Sequence, residues 1–333
     1  MDDKQTSSWF KVQNVPESYI FAEEDRPGSL PIPICHAIPV IDLGKSTSTE
    51  KVEEIMKACR EFRLFHVTDH GVPEPVIRDT VRVFQDFFEL PEDVRVKTPS
   101  EGGCLYTSSR HFAKDGVHLW RDCLKHPCHP LEQCIRYWPE KPTEYRDVIA
   151  KYIGEIRKMS LKILELISKG LGLQAGYLGE LSEVQILTAN NYPACPDPSS
   201  TLGLLRHCDP SLITILYQGD IRGLQIVKDG QWIGVEALPN AFVVILGNQL
   251  EIISNGKLRS NEHRAVTNPN VARRSIATLV NPSPNCVVKP AEVLVDDLNP
   301  SLYEPTLYRD FVLQSRGFGA FTQSIQSYIK SES

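Results

Sequence analysis

Leu224-Gln225-Ile226-Val227-Lys228-Asp229-Gly230-Gln231-Trp232-Ile233-Gly234-Val235 (224–235) reads as two short strands joined by a two-residue turn. Asp-Gly is the pair favoured by the type I′ hairpin turn, which needs positive φ at both central positions, a conformation that Gly accepts freely and Asp tolerates. The same pattern continues outward. Gln185–Tyr192, Leu212–Tyr217, Phe242–Leu246, Glu251–Ser254, His263–Thr267 and Ser275–Val280 are strand-like runs separated by Gly, Pro, Asn and Asp. Many short strands in succession predict an antiparallel sandwich or barrel.

Upstream of residue 183 the apolar period is helical. From Glu144 to about Gly170, Tyr152, Ile156, Met159, Ile163, Leu166 and Ile167 share one face, and Gly170 and Gly172 provide a stop. Thr47 and Glu50 have capping-box spacing before a face of Val52, Ile55, Met56, Cys59 and Phe62. Pro73 and Pro75 open a helix burying Ile77, Val81, Phe84 and Phe88. Ile38–Leu43 and Leu64–Val67 read as buried strands. Residues 97–143, rich in Gly, Ser, His, Cys and Pro, predict a long irregular insertion of the kind that shapes a binding site. Phe318, Phe321, Ile325 and Ile329 predict a closing amphipathic helix.

The expected class is therefore α+β with a mostly β core flanked by helices. Residues 1–36 form a surface arm, and order begins near Ile38. Residues 37–182 are a helical region lending strands to the core, 183–285 the core itself, and 286–333 a closing segment and helix. At 333 residues and 41% hydrophobic, the chain can bury a sizeable core. Its 36 Lys+Arg against 42 Asp+Glu give a net charge of −6, without the basic excess of a nucleic-acid binder. The start, MDDKQTSSWF, lacks a secretory signal, and the longest apolar stretch, Ala241–Leu246, falls far short of the ~20 residues that span a bilayer. Nine cysteines, an odd number in a chain that needs no staples, fit reduced thiols. A soluble cytoplasmic protein, probed by neither membrane nor nucleic acid and working as a monomer, is expected.

His207-Cys208-Asp209 places two ligand types at i and i+2, the same side of an extended backbone. His263 starts a distant strand. Two imidazoles and a carboxylate form the facial triad that holds Fe(II) with positions left open. Taken alone, the triplet reads better as a polar loop beside a strand cap. Ten residues on, Arg273 and Ser275 share a strand face, where a guanidinium and a hydroxyl together bind a carboxylate. Asn190 and Tyr192 are again two apart. Either pair by itself is equally a surface Arg or a satisfied core Tyr; their joint order is what draws notice.

These stretches resemble the plant 2-oxoglutarate and Fe(II)-dependent dioxygenases. The resemblance runs from Ile38-Pro39-Val40-Ile41-Asp42-Leu43 and Asp69-His70-Gly71-Val72-Pro73 through Asn190-Asn191-Tyr192-Pro193-Ala194-Cys195-Pro196, His207-Cys208-Asp209, Gly223-Leu224-Gln225 and Asn240-Ala241-Phe242-Val243-Val244 to His263-Arg264 and Arg273-Arg274-Ser275. Trp120-Arg121-Asp122, His126-Pro127-Cys128-His129-Pro130 and Trp138-Pro139-Glu140-Lys141-Pro142 look most like the hyoscyamine 6-dioxygenase-like branch. The resemblance implies a double-stranded β-helix, or jelly roll, with Fe(II) on His207, Asp209 and His263. It implies that Arg273 and Ser275, helped by Tyr192, hold the distal carboxylate of 2-oxoglutarate, with Asn190 near its chelating end. It further implies O2 as cosubstrate, ascorbate as reductant, and release of succinate and CO2. The substrate would be a small plant specialised metabolite that is hydroxylated, epoxidised, desaturated or demethylated.

Some residues depart from that pattern or offer rivals. His66 and Asp69 stand where Gln or Lys and Asn are more usual, and both read as structural; His70 is a weaker metal ligand than the triad. Tyr106, Arg110, Phe112, Trp120, Leu204, Arg206, Phe318 and Phe321 are candidates for the substrate-pocket wall. Arg110 and Arg206, with no acid in Leu105–Ala113, favour a neutral or anionic substrate over a cation, unless both are solvated at the mouth. Cys123, Cys128, Cys134, His126 and His129 are a competing zinc set, against free thiols and loop histidines. A same-fold oxidase that does not use 2-oxoglutarate and a non-catalytic small-molecule binding protein are the alternative functions.

Overall fold

The computed structural model describes residues 12–44, 49–96, 101–108, 113–114, 117–317 and 325–329. Along the chain, β1 (Ile34–Cys35) and β2 (Val40–Asp42) lead to α1 (Thr49–Glu61), β3 (Leu64–Thr68), α2 (Glu74–Glu89) and α3 (Glu92–Val96). Strands β4 (Leu105–Thr107), β5 (Ala113–Lys114), β6 (Val117–His118) and β7 (Asp122–His129) precede α4 (Leu131–Cys134), α5 (Tyr145–Gly170) and α6 (Tyr177–Leu181). The strand-rich half holds β8 (Val184–Tyr192), β9 (Leu204–His207), β10 (Ile213–Tyr217), β11 (Leu224–Lys228), β12 (Gln231–Val235) and β13 (Phe242–Leu246). It ends with α7 (Asn248–Ile253), β14 (His263–Ala265), β15 (Arg273–Asn281), β16 (Val287–Val288), β17 (Thr306–Leu307) and α8 (Tyr308–Gly317).

An eight-stranded sheet, β2-β3-β13-β10-β15-β8-β7-β4, and a five-stranded sheet, β1-β12-β11-β14-β9, form the jelly roll. Strand β13 shows why its five residues are all apolar: both faces are covered. Val243 and Ile245 join Leu64, Leu216, Leu224, Ile226 and Val235 between the sheets. Phe242, Val244 and Leu246 face the larger core that the helices complete with Ile156, Ile163 and Ile167 of α5. The β11–β12 hairpin closes as its residues dictate, with Lys228 opposite Gln231 and φ of 52° at Asp229 and 77° at Gly230.

Four expectations change. Glu251–Ser254 is not a strand but the end of α7 and its cap, because Leu250, Ile252 and Ile253 are all buried and so short an apolar run fits either period. Within residues 97–143, β7 pairs along its length with β8, so Asp122–His129 belongs to the main sheet and not to an irregular insertion. The arm is sewn into the fold well before Ile38: Tyr19 and Phe21 are buried, Phe21 N–H donates to Ser200 O, and β1 pairs in parallel with β12. Of the expected closing helix, Phe318 and Phe321 lie outside the described residues, while Ile325–Tyr328 forms a single 3-10 turn closed by a bridge from Ile329 to Tyr303, and a helix, α8, precedes it. Thr47 lies outside the described residues.

Polar side chains disguised β7. The His126 ring is fully buried against Trp138, its Nδ1–H donating to Pro127 O at 3.0 Å and its Nε2 accepting from Tyr145 OH at 2.7 Å. Burial pushes this imidazole down from 6.5 to about 4, with the hydrogen bond to Pro127 opposing. The unfolded chain therefore takes up a proton near pH 6.5 that the fold refuses until about pH 4. Stability is full above that window and falls as the pH drops through it, by about 2 kcal/mol at pH 5. Urea unfolding at pH 7.5 and pH 5 checks this: His126→Gln should lose less between the two pH values than the unsubstituted chain, and equal losses would contradict it.

Candidate metal centre

Strands β9 and β14 are antiparallel neighbours, and their register puts His263 directly opposite His207. The two rings lie side by side with centroids 4.2 Å apart. Asp209 follows β9 by two residues, so its carboxylate turns back to the same side: Oδ1 is 3.5 Å from His207 Nε2 and Oδ2 is 3.8 Å from His263 Nε2. One donor atom from each residue lies within 4.8 Å of the others, and among the described residues this is the sole gathering of three such groups.

Backbone carbonyls set the tautomers. His207 Nδ1 donates to Leu205 O at 2.7 Å and His263 Nδ1 donates to Asn261 O at 3.1 Å, so that each ring turns its Nε2 toward the Asp209 carboxylate. Burial lowers the His263 imidazole to about 4, His207 adding to the effect and Asp209 opposing it. Burial pushes the Asp209 carboxyl up, but the His263 and His207 imidazoles outweigh it and hold the group below the usual carboxylate range. Two imidazole Nε2 atoms and one carboxylate, converging on one point, are the donor set that a divalent transition metal takes. Ferrous iron fits these residues.

A second cluster stands on the facing sheet. The β8–β15 register sets Arg273 opposite Tyr192 and Ser275 opposite Asn190. Arg273 is 2% exposed, its Nε donates to Ile221 O at 3.1 Å, and its guanidinium carbon lies 5.1 Å from the Tyr192 ring centre. Burial lowers its affinity for the proton, with Tyr192 opposing. Among the described residues no carboxylate pairs with it. A buried guanidinium without a counter-ion is costly, and an anion arriving from outside relieves that cost. Two glycines make room: a Cβ on Gly223 would meet Arg273 Cδ at 2.6 Å, and one on Gly203 would meet the Tyr192 ring at 2.4 Å. Neither needs an unusual φ; close approach is the reason.

Asn190 Nδ2 lies 3.5 Å from Ser275 Oγ, and its Oδ1 accepts a hydrogen bond of 3.1 Å from Arg121, which is itself buried. Sequence reasoning quoted Arg121 in a motif but missed this contact; the i, i+2 spacing from Arg121 to Cys123, which stands opposite Asn190, was the available signal.

The expected pocket wall is less united. Tyr106 is half-buried on β4, beneath the Arg95 guanidinium at 5.2 Å. Trp120 has no exposed surface; it packs with Tyr19 and Cys195 and its indole donates to Pro193 O at 3.1 Å, which makes it a packing residue at this site. Leu204 is half-buried beside Phe21, Leu119 and Leu202. Arg206 alternates away from His207 and pairs with Glu262 at 2.6 Å, so its charge is already answered and gives no ground for an anionic substrate. Arg110, Phe112, Phe318 and Phe321 lie outside the described residues. His66 and His70 donate to Glu236 O and Asn240 O, each at 3.1 Å, as structural ties. Cys123, Cys128 and Cys134 are buried free thiols that do not gather with His126 or His129 as metal donors.

Comparison with known proteins agrees with this geometry. The family profile described as the 2OG-Fe(II) oxygenase superfamily matches residues 183–282, and that of the non-haem dioxygenase in morphine synthesis N-terminal region matches residues 38–144. The chain is 42% identical to hyoscyamine 6-dioxygenase of Hyoscyamus niger over 321 residues, 92% of each chain. It is 38% identical to 2'-deoxymugineic-acid 2'-dioxygenase of Hordeum vulgare over 312 residues, 90% of this chain and 89% of that one. The crystal structure of JOX2 in complex with 2OG, Fe and JA superposes with a TM-score of 0.84 at 30% identity, covering 96% of this chain and 95% of that chain.

Proposed function

This chain belongs to the 2OG-Fe(II) oxygenase superfamily, and on that premise we propose how its side chains divide the work. His207, Asp209 and His263 hold the iron, two through neutral Nε2 atoms and one through its carboxylate. Arg273 and Ser275, with Tyr192 packed against the guanidinium, receive the distal carboxylate of 2-oxoglutarate, and Asn190 lies toward its chelating end. Bound iron supplies the redox chemistry by which O2 and 2-oxoglutarate give succinate, CO2 and an oxidised substrate. The protein's part is to keep three donors deprotonated and aimed, to orient the diacid through a two-point anchor, and to exclude water by burial. Ascorbate serves as reductant.

The substrate, on this reading, is a small plant specialised metabolite, and the outcome hydroxylation, epoxidation, desaturation or demethylation. The relatives named above support that class. Residues 183–285 act as the catalytic core, 37–182 as its support, and 286–333 as the closing segment. A single chain provides every group named, which supports a monomer. The nine free cysteines favour a reducing cytoplasm, and no helix among the described residues is long and apolar enough to cross a membrane.

The observation that carries the reading is Arg273, a buried cation on the sheet facing the three metal donors, with no carboxylate partner among the described residues. It speaks against an oxidase with no need of a 2-oxo acid, and the intact donor set speaks against a protein that only binds. Incubation with Fe(II), 2-oxoglutarate and a plant metabolite extract tests it. The expected result is succinate released in step with one compound that gains an oxygen atom or loses two hydrogens. Product formed equally well without 2-oxoglutarate would overturn it.

A further inference from the structure

We propose that Arg121 is a positioning residue for 2-oxoglutarate, acting through the Asn190 side-chain amide. The inference rests on the cosubstrate site described above. Arg121 immediately precedes β7, and its guanidinium reaches the first of two linked hydrogen bonds: Arg121 Nη1 to Asn190 Oδ1 at 3.1 Å, then Asn190 Nδ2 to Ser275 Oγ at 3.5 Å. All three side chains are buried.

An asparagine amide presents an acceptor on one side and a donor on the other, and its two orientations have nearly the same shape. A guanidinium is a donor only. With Arg121 fixed on one side, the amide oxygen must turn toward it and the NH2 toward Ser275 and the anion site. The sheet face then offers a dianion nothing but donors: the Arg273 guanidinium, the Ser275 hydroxyl and the Asn190 NH2. Burial makes the link strong, since a charge-assisted bond polarises the next one in line where water cannot compete. Without Arg121 the amide is free to rotate and set its oxygen against a carboxylate, converting an attraction into a repulsion. Arg121 thus specifies which end of Asn190 the cosubstrate meets and need not touch it.

A double-mutant cycle on the full chain loaded with Mn(II), a redox-inert stand-in for Fe(II), tests this by calorimetry of 2-oxoglutarate binding, with the melting temperature and Mn(II) affinity of each variant recorded alongside. Arg121→Met should weaken 2-oxoglutarate binding about tenfold when Asn190 is present, and by less than about twofold in the Asn190→Ala background. Mn(II) affinity should stay unchanged. If Arg121→Met does not fold, Arg121→Lys, which keeps the charge but loses the fork, takes its place, with an expected loss of about threefold with Asn190 present and none without it. The same fold-loss in both backgrounds, or no loss in either, would overturn the inference while leaving the cosubstrate site intact. No 2-oxoglutarate binding by the unsubstituted protein would remove that site, and the inference with it.

Discussion

Arg273→Met should weaken 2-oxoglutarate binding by about thirtyfold or more, while the cosubstrate-free protein melts no lower than the unsubstituted one. The two effects have opposite signs for one reason. In the free protein the guanidinium is buried, with Ile221 O and the Tyr192 ring for company and no carboxylate among the described residues. Its desolvation is uncompensated, so an apolar side chain of similar length relieves the fold, by about 1–4 kcal/mol on the precedent of buried ion groups replaced by hydrophobic ones. With the diacid present the same guanidinium makes a desolvated, bidentate pair, and its loss costs about 2–5 kcal/mol of binding, roughly thirtyfold to several thousandfold in affinity. Thermal melts with and without 2-oxoglutarate, in the presence of Mn(II), check both halves. A variant that melts well below the parent and still gains from 2-oxoglutarate would show that Arg273 is a structural residue with a different anion site elsewhere.

Asp209→Asn should remove metal binding with little change in shape. The amide preserves the volume between His207 and His263 but not the charge. Outer-shell partners of metal ligands are worth about tenfold to a hundredfold in affinity, and a charged ligand itself should exceed that. Because the metal binds the folded state alone, its loss should also erase the rise in melting temperature that Fe(II) or Mn(II) gives the parent. A variant that retains stoichiometric metal would place the centre elsewhere in the chain.

What was legible in the sequence was local. Asp229-Gly230 specified its hairpin because, of the two turn types that suit a two-residue loop, Asp-Gly favours the one with positive φ at both positions, and the α5 pattern spans enough turns for its period to be unambiguous. The His207 and Asp209 pairing was legible through strand alternation. That His263 would stand opposite His207 depended on strand order, which no local pattern encodes. Strand β7 was hidden because His126 pairs with Tyr145 in the interior, so a polar residue occupied a core position. The α7 turn was hidden because Leu250, Ile252 and Ile253 are buried on every side, which erases periodicity. The acceptance of Nδ1 protons by Leu205 O and Asn261 O, and the contacts of Gly203 and Gly223 with the anchor, are tertiary facts about backbone position. Arg206 and Trp120 were chosen for proximity and aromatic character, and what displaced them was a neighbour each found first: Glu262 for the one, Tyr19 and Pro193 for the other.

Anomalous diffraction at the iron edge, from crystals grown without oxygen in Fe(II) and 2-oxoglutarate, is the most direct measurement. It should show one strong peak between the Nε2 atoms of His207 and His263 and the Asp209 carboxylate, with the diacid's far carboxylate on Arg273 and Ser275. An iron peak at any other residues, or an Arg273 already paired with a protein carboxylate in the same crystals, would contradict it.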